Sequence, residues 1–168
     1  MKYLRLAAIA ATMFFASSVA AVAGEASFLS GRVVGVSDGD TIKVLSAGNV
    51  ETRIRLAYID APEKSQAFGQ QSKKSLSDMV YGKDVTIEVI DTDRYGRKVG
   101  VVHSGPPDAV ADRFGVNKTQ VDRGLAWVYR RYSDDPVLIR AESTARNAKI
   151  GLWADPQPIP PWDYRRER

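Results

Sequence analysis

The sequence predicts an α+β fold in which β-strands predominate. Five segments rich in β-branched residues are expected to be strands, at residues 31–36, 41–45, 52–59, 85–90 and 98–103. Helical patterns lie between these segments and after them. With 168 residues, 44% of them hydrophobic, the chain has room for one domain with a core. A small Greek-key barrel is compatible with this order, although periodicity alone leaves other α+β folds open.

Turn-forming residues separate the predicted strands. Asp-Gly at 38–39 and Ala-Gly-Asn at 47–49 are typical of tight turns between neighbouring strands. Ala-Pro at 61–62 follows the third strand and forces the chain to leave the sheet there. The last two strands flank a turn at Gly96.

A helix is predicted between the third and fourth strands. Apolar residues recur there at near-helical intervals and are followed by a glycine that can end the helix: Phe68, Leu76, Met79, Val80 and Gly82. A longer loop is expected over 103–116. A second helix is predicted over 117–123, with Gly124 as its end, and an extended segment over 125–128.

The third predicted helix has the clearest boundaries. Asp134 or Asp135 can cap its N-terminus and Pro136 suits its first turn. The helix is expected to end near Gly151, and its apolar stripe comprises Leu138, Ala141, Ala145, Ala148 and Leu152. Residues 157–168 are rich in Pro and Arg and lack periodicity, so we expect an irregular, mobile tail.

The N-terminus has the three parts of a secretory signal peptide. Lys2 and Arg5 precede an apolar run at 6–15, and Ala-Val-Ala at 21–23 provides a cleavage site. We therefore predict a signal peptide at 1–23, a folded domain at 24–156 and export to the periplasm or beyond. The alternative is an uncleaved anchor, but the apolar run is short for a bilayer span. No stable membrane association is expected after cleavage.

Composition excludes several classes of enzyme. The chain has no cysteine, which excludes disulfides and Cys-His hydrolases. His103 is the only histidine and is assigned no role, so mechanisms that depend on histidine lack support. The glycines do not have phosphate-loop spacing. Cleavage after Ala23 leaves 22 basic and 20 acidic side chains, a net charge of +2 that attracts polyanions only weakly.

Three short segments carry the residues suited to chemistry. They are Asp-Gly-Asp-Thr at 38–41, Arg-Leu-Ala-Tyr-Ile-Asp-Ala-Pro-Glu at 55–63 and Asp-Arg-Tyr-Gly-Arg at 93–97. Carboxylates suit a hard cation such as Ca²⁺, and arginines supply fixed positive charge for a phosphodiester under attack. One site could therefore bind metal, hold phosphate and activate water. Taken alone, the first segment equally fits a hairpin turn with an Asx cap.

The order and spacing of these segments resemble the staphylococcal nuclease (thermonuclease) family over residues 31–153. The resemblance implies an OB-like, five-stranded Greek-key barrel with three α-helices. It also implies that Ca²⁺ is held by the carboxylates of Asp40 and Asp60 and by the backbone carbonyl of Ala61. The lack of neighbouring Cys or His argues against zinc.

Three residues that match the family pattern are the candidates for catalysis. Glu63 is the candidate general base, or in a weaker version it orients the attacking water. Arg55 and Arg97 are expected to bind phosphate oxygens and to stabilise the charge of the transition state. The alternatives are a helix N-terminal role for Glu63 and, for Arg97, a surface ion pair with Asp91 or Asp93.

Further matches point to substrate contacts. Arg94 and Tyr95 match positions that contact a terminal phosphate of a bound nucleotide, and Tyr132 matches one of two base-pocket tyrosines. Arg130 stands where the second tyrosine would be. Trp127 could stack on a base, but we expect it to close the core instead.

The resemblance implies a Ca²⁺-dependent nuclease that cuts DNA and RNA. Nothing in the sequence suggests an obligate oligomer, so we expect a monomer. Water would attack phosphorus, the P–O5′ bond would break, and the products would carry 3′-phosphates. Single-stranded substrates are expected to be preferred, because exposed aromatic residues reach unpaired bases more readily. The first alternative is a non-catalytic OB-fold module that binds nucleic acid. The second is an exported structural or adhesion domain that binds an anionic polymer through its Arg-rich tail.

Overall fold

The computed structural model describes residues 27–106 and 112–167. The predicted signal peptide lies outside the described residues, as does part of the predicted loop. Within the described ranges, the strands are β1 (Ser27–Val36), β2 (Thr41–Ser46), β3 (Val50–Leu56), β4 (Ile59–Asp60), β5 (Asp84–Thr92), β6 (Lys98–Ser104) and β7 (Trp127–Val128). The helices are α1 (Gly69–Val80), α2 (Gly115–Asp122), α3 (Pro136–Asn147) and α4 (Pro161–Tyr164).

Five strands close into a barrel in the order β1-β2-β3-β6-β5. Strands β1, β2 and β3 form an antiparallel meander, β6 pairs parallel with β3, and β5 closes the barrel against β1. Branched aliphatic side chains fill the interior, among them Ile42, Val44, Ile54, Leu56, Ile87 and Val102. The α+β fold with a five-stranded, OB-like barrel is thereby confirmed.

The predicted third strand, 52–59, is interrupted in the structure. Tyr58 adopts a left-handed backbone conformation with φ of 68°, which ends β3 and starts the separate strand β4. The Tyr58 carbonyl accepts a 2.8 Å hydrogen bond from Tyr129 N, and its ring packs edge-on against Phe114 at 5.9 Å. These contacts offset the strain of a positive φ. The turn directs Asp60 into a small sheet with β7, away from the barrel wall.

The three predicted helices are present, with shifted boundaries. Helix α2 begins at Gly115 rather than at residue 117. Helix α3 is capped by Asp135, whose side chain accepts a 2.9 Å hydrogen bond from Val137 N, but it ends at Asn147 rather than near Gly151. Lys149 and Gly151 both have positive φ, which cannot continue a right-handed helix, and a 3-10 turn follows at Gly151–Ala154.

The prediction of an irregular tail is wrong at residues 161–164, which form α4. Trp162 stacks on Tyr129 with ring centroids 5.3 Å apart and meets Trp127 edge-on at 5.7 Å. Gln66 donates a 2.6 Å hydrogen bond to the carbonyl of Ile159. The tail therefore packs against the folded domain. No helix in the described ranges has the length and apolarity needed to cross a membrane.

Candidate active site

Sheet register brings Asp40 and Arg55 together at one rim of the barrel. Thr41, the first residue of β2, lies opposite Arg55 of β3, and Leu56 N donates a 2.8 Å hydrogen bond to the Asp40 carbonyl. The Asp40 carboxylate is held from two sides, by the Thr41 hydroxyl at 2.9 Å and by Ala61 N at 3.0 Å. Residues from the first two sequence segments are thus in direct contact.

Arg55 links the two aspartates predicted to bind metal. Its Nη2 donates to Asp60 Oδ1 at 2.9 Å, and its Nη1 lies 3.4 Å from Asp40 Oδ2. Nη1 also donates to the Ile59 carbonyl at 3.1 Å, which fixes the plane of the guanidinium. The charge of Asp40 raises the pKa of Arg55 despite the opposing effect of burial, and Asp60 adds to it. Arg55 is therefore a permanent cation between two buried carboxylates.

The carboxylates of this rim are costly to ionise together. Burial, and then the charge of Asp40, raises the pKa of Asp38 to about 6. Burial also raises the pKa of Asp60, with a further contribution from Asp40, although Arg165 and Arg55 oppose the shift. An added cation would relieve this repulsion.

The donor set fits a hard cation that keeps several waters. Asp40, Asp60, Glu63 and the Ala61 carbonyl offer only oxygen, which suits Ca²⁺ better than zinc. Among the described residues, no group of three or more His, Cys, Asp or Glu side chains is arranged as a metal cage by itself. A bound ion would therefore depend on the backbone carbonyl and on solvent to complete its shell.

Glu63 extends the rim toward solvent. Its side chain is 37% exposed, and its Oε1 accepts a 2.8 Å hydrogen bond from Arg165 Nη1. The same guanidinium donates to both oxygens of Asp60, at 3.2 Å and 2.6 Å. Hydrogen bonds to these two carboxylates raise the pKa of Arg165 although burial acts to lower it. The sequence prediction missed Arg165; two large apolar residues in the tail, Ile159 and Trp162, were the indication that this segment docks.

The predicted phosphate-binding residues of the third segment lie on the β5–β6 hairpin. Arg97 forms an ion pair with Asp93 through Nε at 2.7 Å, one of the two surface pairs considered as its alternative role. This hydrogen bond and those from backbone N–H groups outweigh burial and lower the pKa of Asp93. Arg94 donates to the Tyr95 hydroxyl at 2.6 Å and lies over the same ring. Arg94 and Arg97 contact residues of the hairpin, and the Tyr95 carbonyl accepts a 3.5 Å hydrogen bond from Arg53 Nη2 of β3.

Tyr132 is exposed and Trp127 is buried, in agreement with the roles predicted for them. Tyr132 is 62% exposed and is flanked by Tyr129 at 5.0 Å and by the Arg131 guanidinium at 5.8 Å. It is accessible to a base. Trp127 is buried against Trp153, which confirms the prediction that it closes the core.

A buried carboxylate that the sequence analysis did not consider lies beneath β7. Glu142 of α3 accepts a 2.9 Å hydrogen bond from Val128 N and pairs with Arg130 at 2.9 Å. Arg146 lies 3.6 Å from the same carboxylate. Arg130, which stands where the family pattern has a base-pocket tyrosine, therefore forms a structural ion pair with Glu142.

Fold and rim together define a small barrel protein in which carboxylates and arginines converge at the end of the barrel. The family model described as "Staphylococcal nuclease homologue" matches residues 53–155. The chain belongs to this family.

Similar proteins extend the match over most of the chain. A protein named "Uncharacterized endonuclease" from Haemophilus influenzae is 48% identical over 136 residues, covering 81% of this chain and 72% of the relative. One of the same name from Escherichia coli O157:H7 is 46% identical over 138 residues, covering 82% and 86%. "Micrococcal nuclease" from Shigella flexneri is 39% identical over 165 residues, covering 96% and 92%. Family and relatives together support a hydrolytic nuclease.

Proposed function

We propose that this protein is an exported, monomeric, Ca²⁺-dependent nuclease that hydrolyses phosphodiester bonds of DNA and RNA and leaves 3′-phosphate ends. The observation that carries the proposal is the Arg55 bridge between Asp40 and Asp60, with Glu63 beside it at the solvent edge. Membership of the nuclease family supports the same chemistry.

Asp40, Asp60 and the Ala61 carbonyl would hold the ion. When bound, Ca²⁺ supplies positive charge that acidifies water and offsets the charge of the phosphate. Contacts to both aspartates and to the Ile59 carbonyl fix the guanidinium plane of Arg55 before substrate binds.

Glu63 accepts a proton from the attacking water. The water oxygen forms a bond to phosphorus, the P–O5′ bond breaks, and the leaving oxygen takes a proton from solvent. Arg55 and Arg97 donate to the phosphoryl oxygens as negative charge accumulates there. For this role Arg97 exchanges its Asp93 contact for the phosphate, a change that an exposed hairpin permits.

Exposed aromatic and basic residues favour single strands. Tyr132 offers a ring for a base, and Arg94 with Tyr95 offers a cation and a hydroxyl for a terminal phosphate. None of these side chains provides a base-specific pattern, so sequence preference should be slight.

The first test compares the mature protein with Glu63→Gln on single-stranded DNA, in Ca²⁺ or in excess chelator. We expect Ca²⁺-dependent cleavage with 3′-phosphate ends and a loss of about a thousandfold in kcat/KM for the variant. Glu51→Gln is the matched control, because Glu51 is also a half-exposed carboxylate in an ion pair, with Lys43, but lies at the far end of β3; its activity should be unchanged.

The same experiment separates the alternatives. A parent protein that binds DNA but cuts none with any metal would favour the non-catalytic binding module. Loss of all DNA binding when Arg166 and Arg168 are replaced by Gln, changes that leave Trp162, Arg165 and the rim in place, would favour the domain that binds polymer through its tail.

A further inference from the structure

The C-terminal segment brings a second arginine, beside Arg55, to the rim. We propose that Arg165 is an intramolecular competitor of the metal: its guanidinium and the cation require the same carboxylate oxygens of Asp60, so metal binding displaces it. This inference rests on the proposed function, since it takes Asp60 as a ligand of the metal.

The contacts of Asp60 make simultaneous occupancy unfavourable. Its side chain is 1% exposed, Oδ1 accepts from Arg55 at 2.9 Å and from Arg165 at 3.2 Å, and Oδ2 accepts from Arg165 at 2.6 Å. A carboxylate has about four lone-pair sites, and three of them are used here by two guanidinium groups. A divalent cation on the same oxygens would also lie close to the Arg165 charge, and like charges repel strongly where solvent is limited.

Arg55 and Arg165 are not equivalent in this respect. Arg55 is held by the Ile59 carbonyl and by Asp40 as well as by Asp60, and its side chain is 16% exposed. Arg165 is 42% exposed, and its ion pairs are with Asp60 and Glu63. Arg165 is therefore the arginine that can leave into solvent at low cost.

The segment stays docked when the guanidinium leaves. Trp162 packs on Tyr129 and Trp127, and Gln66 holds the Ile159 carbonyl, all without Arg165. The displaced guanidinium remains next to the rim at a high effective concentration. Exchange between Arg165 and the metal is thus a local, reversible event that sets the metal concentration at which the enzyme becomes active.

The test is Ca²⁺ binding measured by isothermal titration calorimetry on the parent, on Arg165→Gln and on Arg166→Gln. Arg166 is the matched control, because it is a neighbouring arginine of the same segment, is 75% exposed and pairs with Asp163 rather than with the rim. We expect Arg165→Gln to bind Ca²⁺ roughly fivefold tighter, the upper part of the range for a partly exposed ion pair, and Arg166→Gln to bind as the parent does. The difference should shrink as salt is raised.

The outcomes distinguish this inference from the proposed function. Equal or weaker Ca²⁺ binding by Arg165→Gln, with an unchanged melting temperature in both arginine variants, overturns the competition and leaves the metal site in place. A fall in cleavage without any change in Ca²⁺ affinity would also overturn it and assign Arg165 to substrate instead. If neither the parent nor Arg165→Gln binds Ca²⁺ at this site, as judged against Asp60→Asn, the proposed metal site fails and the competition fails with it.

Discussion

Two clusters of carboxylates and arginines in this protein, each built around a buried carboxylate, have opposite ratios of negative to positive charge. The rim cluster comprises Asp40, Arg55, Asp60, Glu63 and Arg165 and sets three carboxylates against two arginines. The Glu142 cluster comprises Glu142, Arg130, Arg146 and the Val128 N–H and sets one carboxylate against two arginines and a backbone donor.

The difference in charge ratio distinguishes ion pairs that stabilise the fold from those that belong to a candidate active site. The single carboxylate of the Glu142 cluster is satisfied by its own partners, so the cluster joins α3 to β7. In the rim cluster the burial of Asp60 beside Asp40 raises its pKa even with arginines present. A deficit of positive charge, rather than an arginine next to a carboxylate, marks the candidate active site.

The largest effect that tests this comparison is expected from Glu142→Gln. The amide keeps an acceptor for Val128 N but leaves Arg130 and Arg146 without a charge partner. We expect a loss of about 2 to 3 kcal/mol in the free energy of unfolding, below the range for fully buried pairs because Arg130 is 47% exposed. Urea denaturation measures it.

The same variant should keep its activity per folded molecule, because Glu142 does not line the rim. The Glu51→Gln control should change stability by less than about 0.5 kcal/mol, since its ion pair is on the surface. If Glu142→Gln instead lost cleavage activity at unchanged stability, the Glu142 cluster would contribute to the reaction, and the charge ratio would not distinguish the two clusters.

Sequence patterns could predict the parts of this protein that depend on local order. Alternating β-branched segments and turn residues predicted the five barrel strands, and Asp135 with Pro136 predicted the start of α3. The resemblance to the nuclease family, rather than strand periodicity, implied that Asp40, Arg55 and Asp60 lie at one site, and the structure brings them into contact.

The missed features depend on contacts between distant residues. The strand break at Tyr58 requires Phe114 and Tyr129, which follow it by more than fifty positions. Arg165 is 105 positions from Asp60. Apolar residues in the tail indicate that the segment docks, but nothing in the local sequence indicates where. The residues around Glu142 in α3 are largely polar, as on the exposed face of any surface helix. The burial of Glu142 therefore cannot be predicted from the spacing of apolar residues.

The variant Arg97→Lys tests whether the Arg97–Asp93 pair of the β5–β6 hairpin serves the reaction, like the rim cluster, or the fold, like the Glu142 cluster. Lysine keeps the charge but cannot offer a planar fork to phosphate. We expect kcat/KM on single-stranded DNA to fall about tenfold, with little change in melting temperature because Asp93 also accepts from the backbone N–H groups of Tyr95 and Arg97.

Asp93→Asn is the companion variant, because it releases Arg97 from its charge partner while leaving the guanidinium intact. Its activity should stay above that of Arg97→Lys. Unchanged activity in Arg97→Lys together with a lowered melting temperature would make the pair structural, like the Glu142 cluster.

The smallest expected effect concerns His103. This residue tests how much stability a buried ionisable side chain removes when it has no partner to balance its charge. Its Nε2 has no hydrogen-bond partner among the described residues, and burial lowers its pKa from 6.5 although the charges of Glu88 and Asp112 oppose the shift. The unfolded chain therefore takes up a proton near pH 6.5 that the folded protein resists, so this residue removes stability as pH falls through that value. Asp38, with its pKa raised to about 6, acts in the opposite direction, because its folded state holds a proton that the unfolded chain releases.

His103→Leu isolates the histidine from these other groups. We expect the difference in melting temperature between the variant and the parent to shift in favour of the variant as pH is lowered from about 7.5 to 5.5. A difference that stays constant over this range would mean that His103 takes up its proton equally well in the folded protein. In that case burial without a hydrogen-bond partner would not penalise a positive charge at His103.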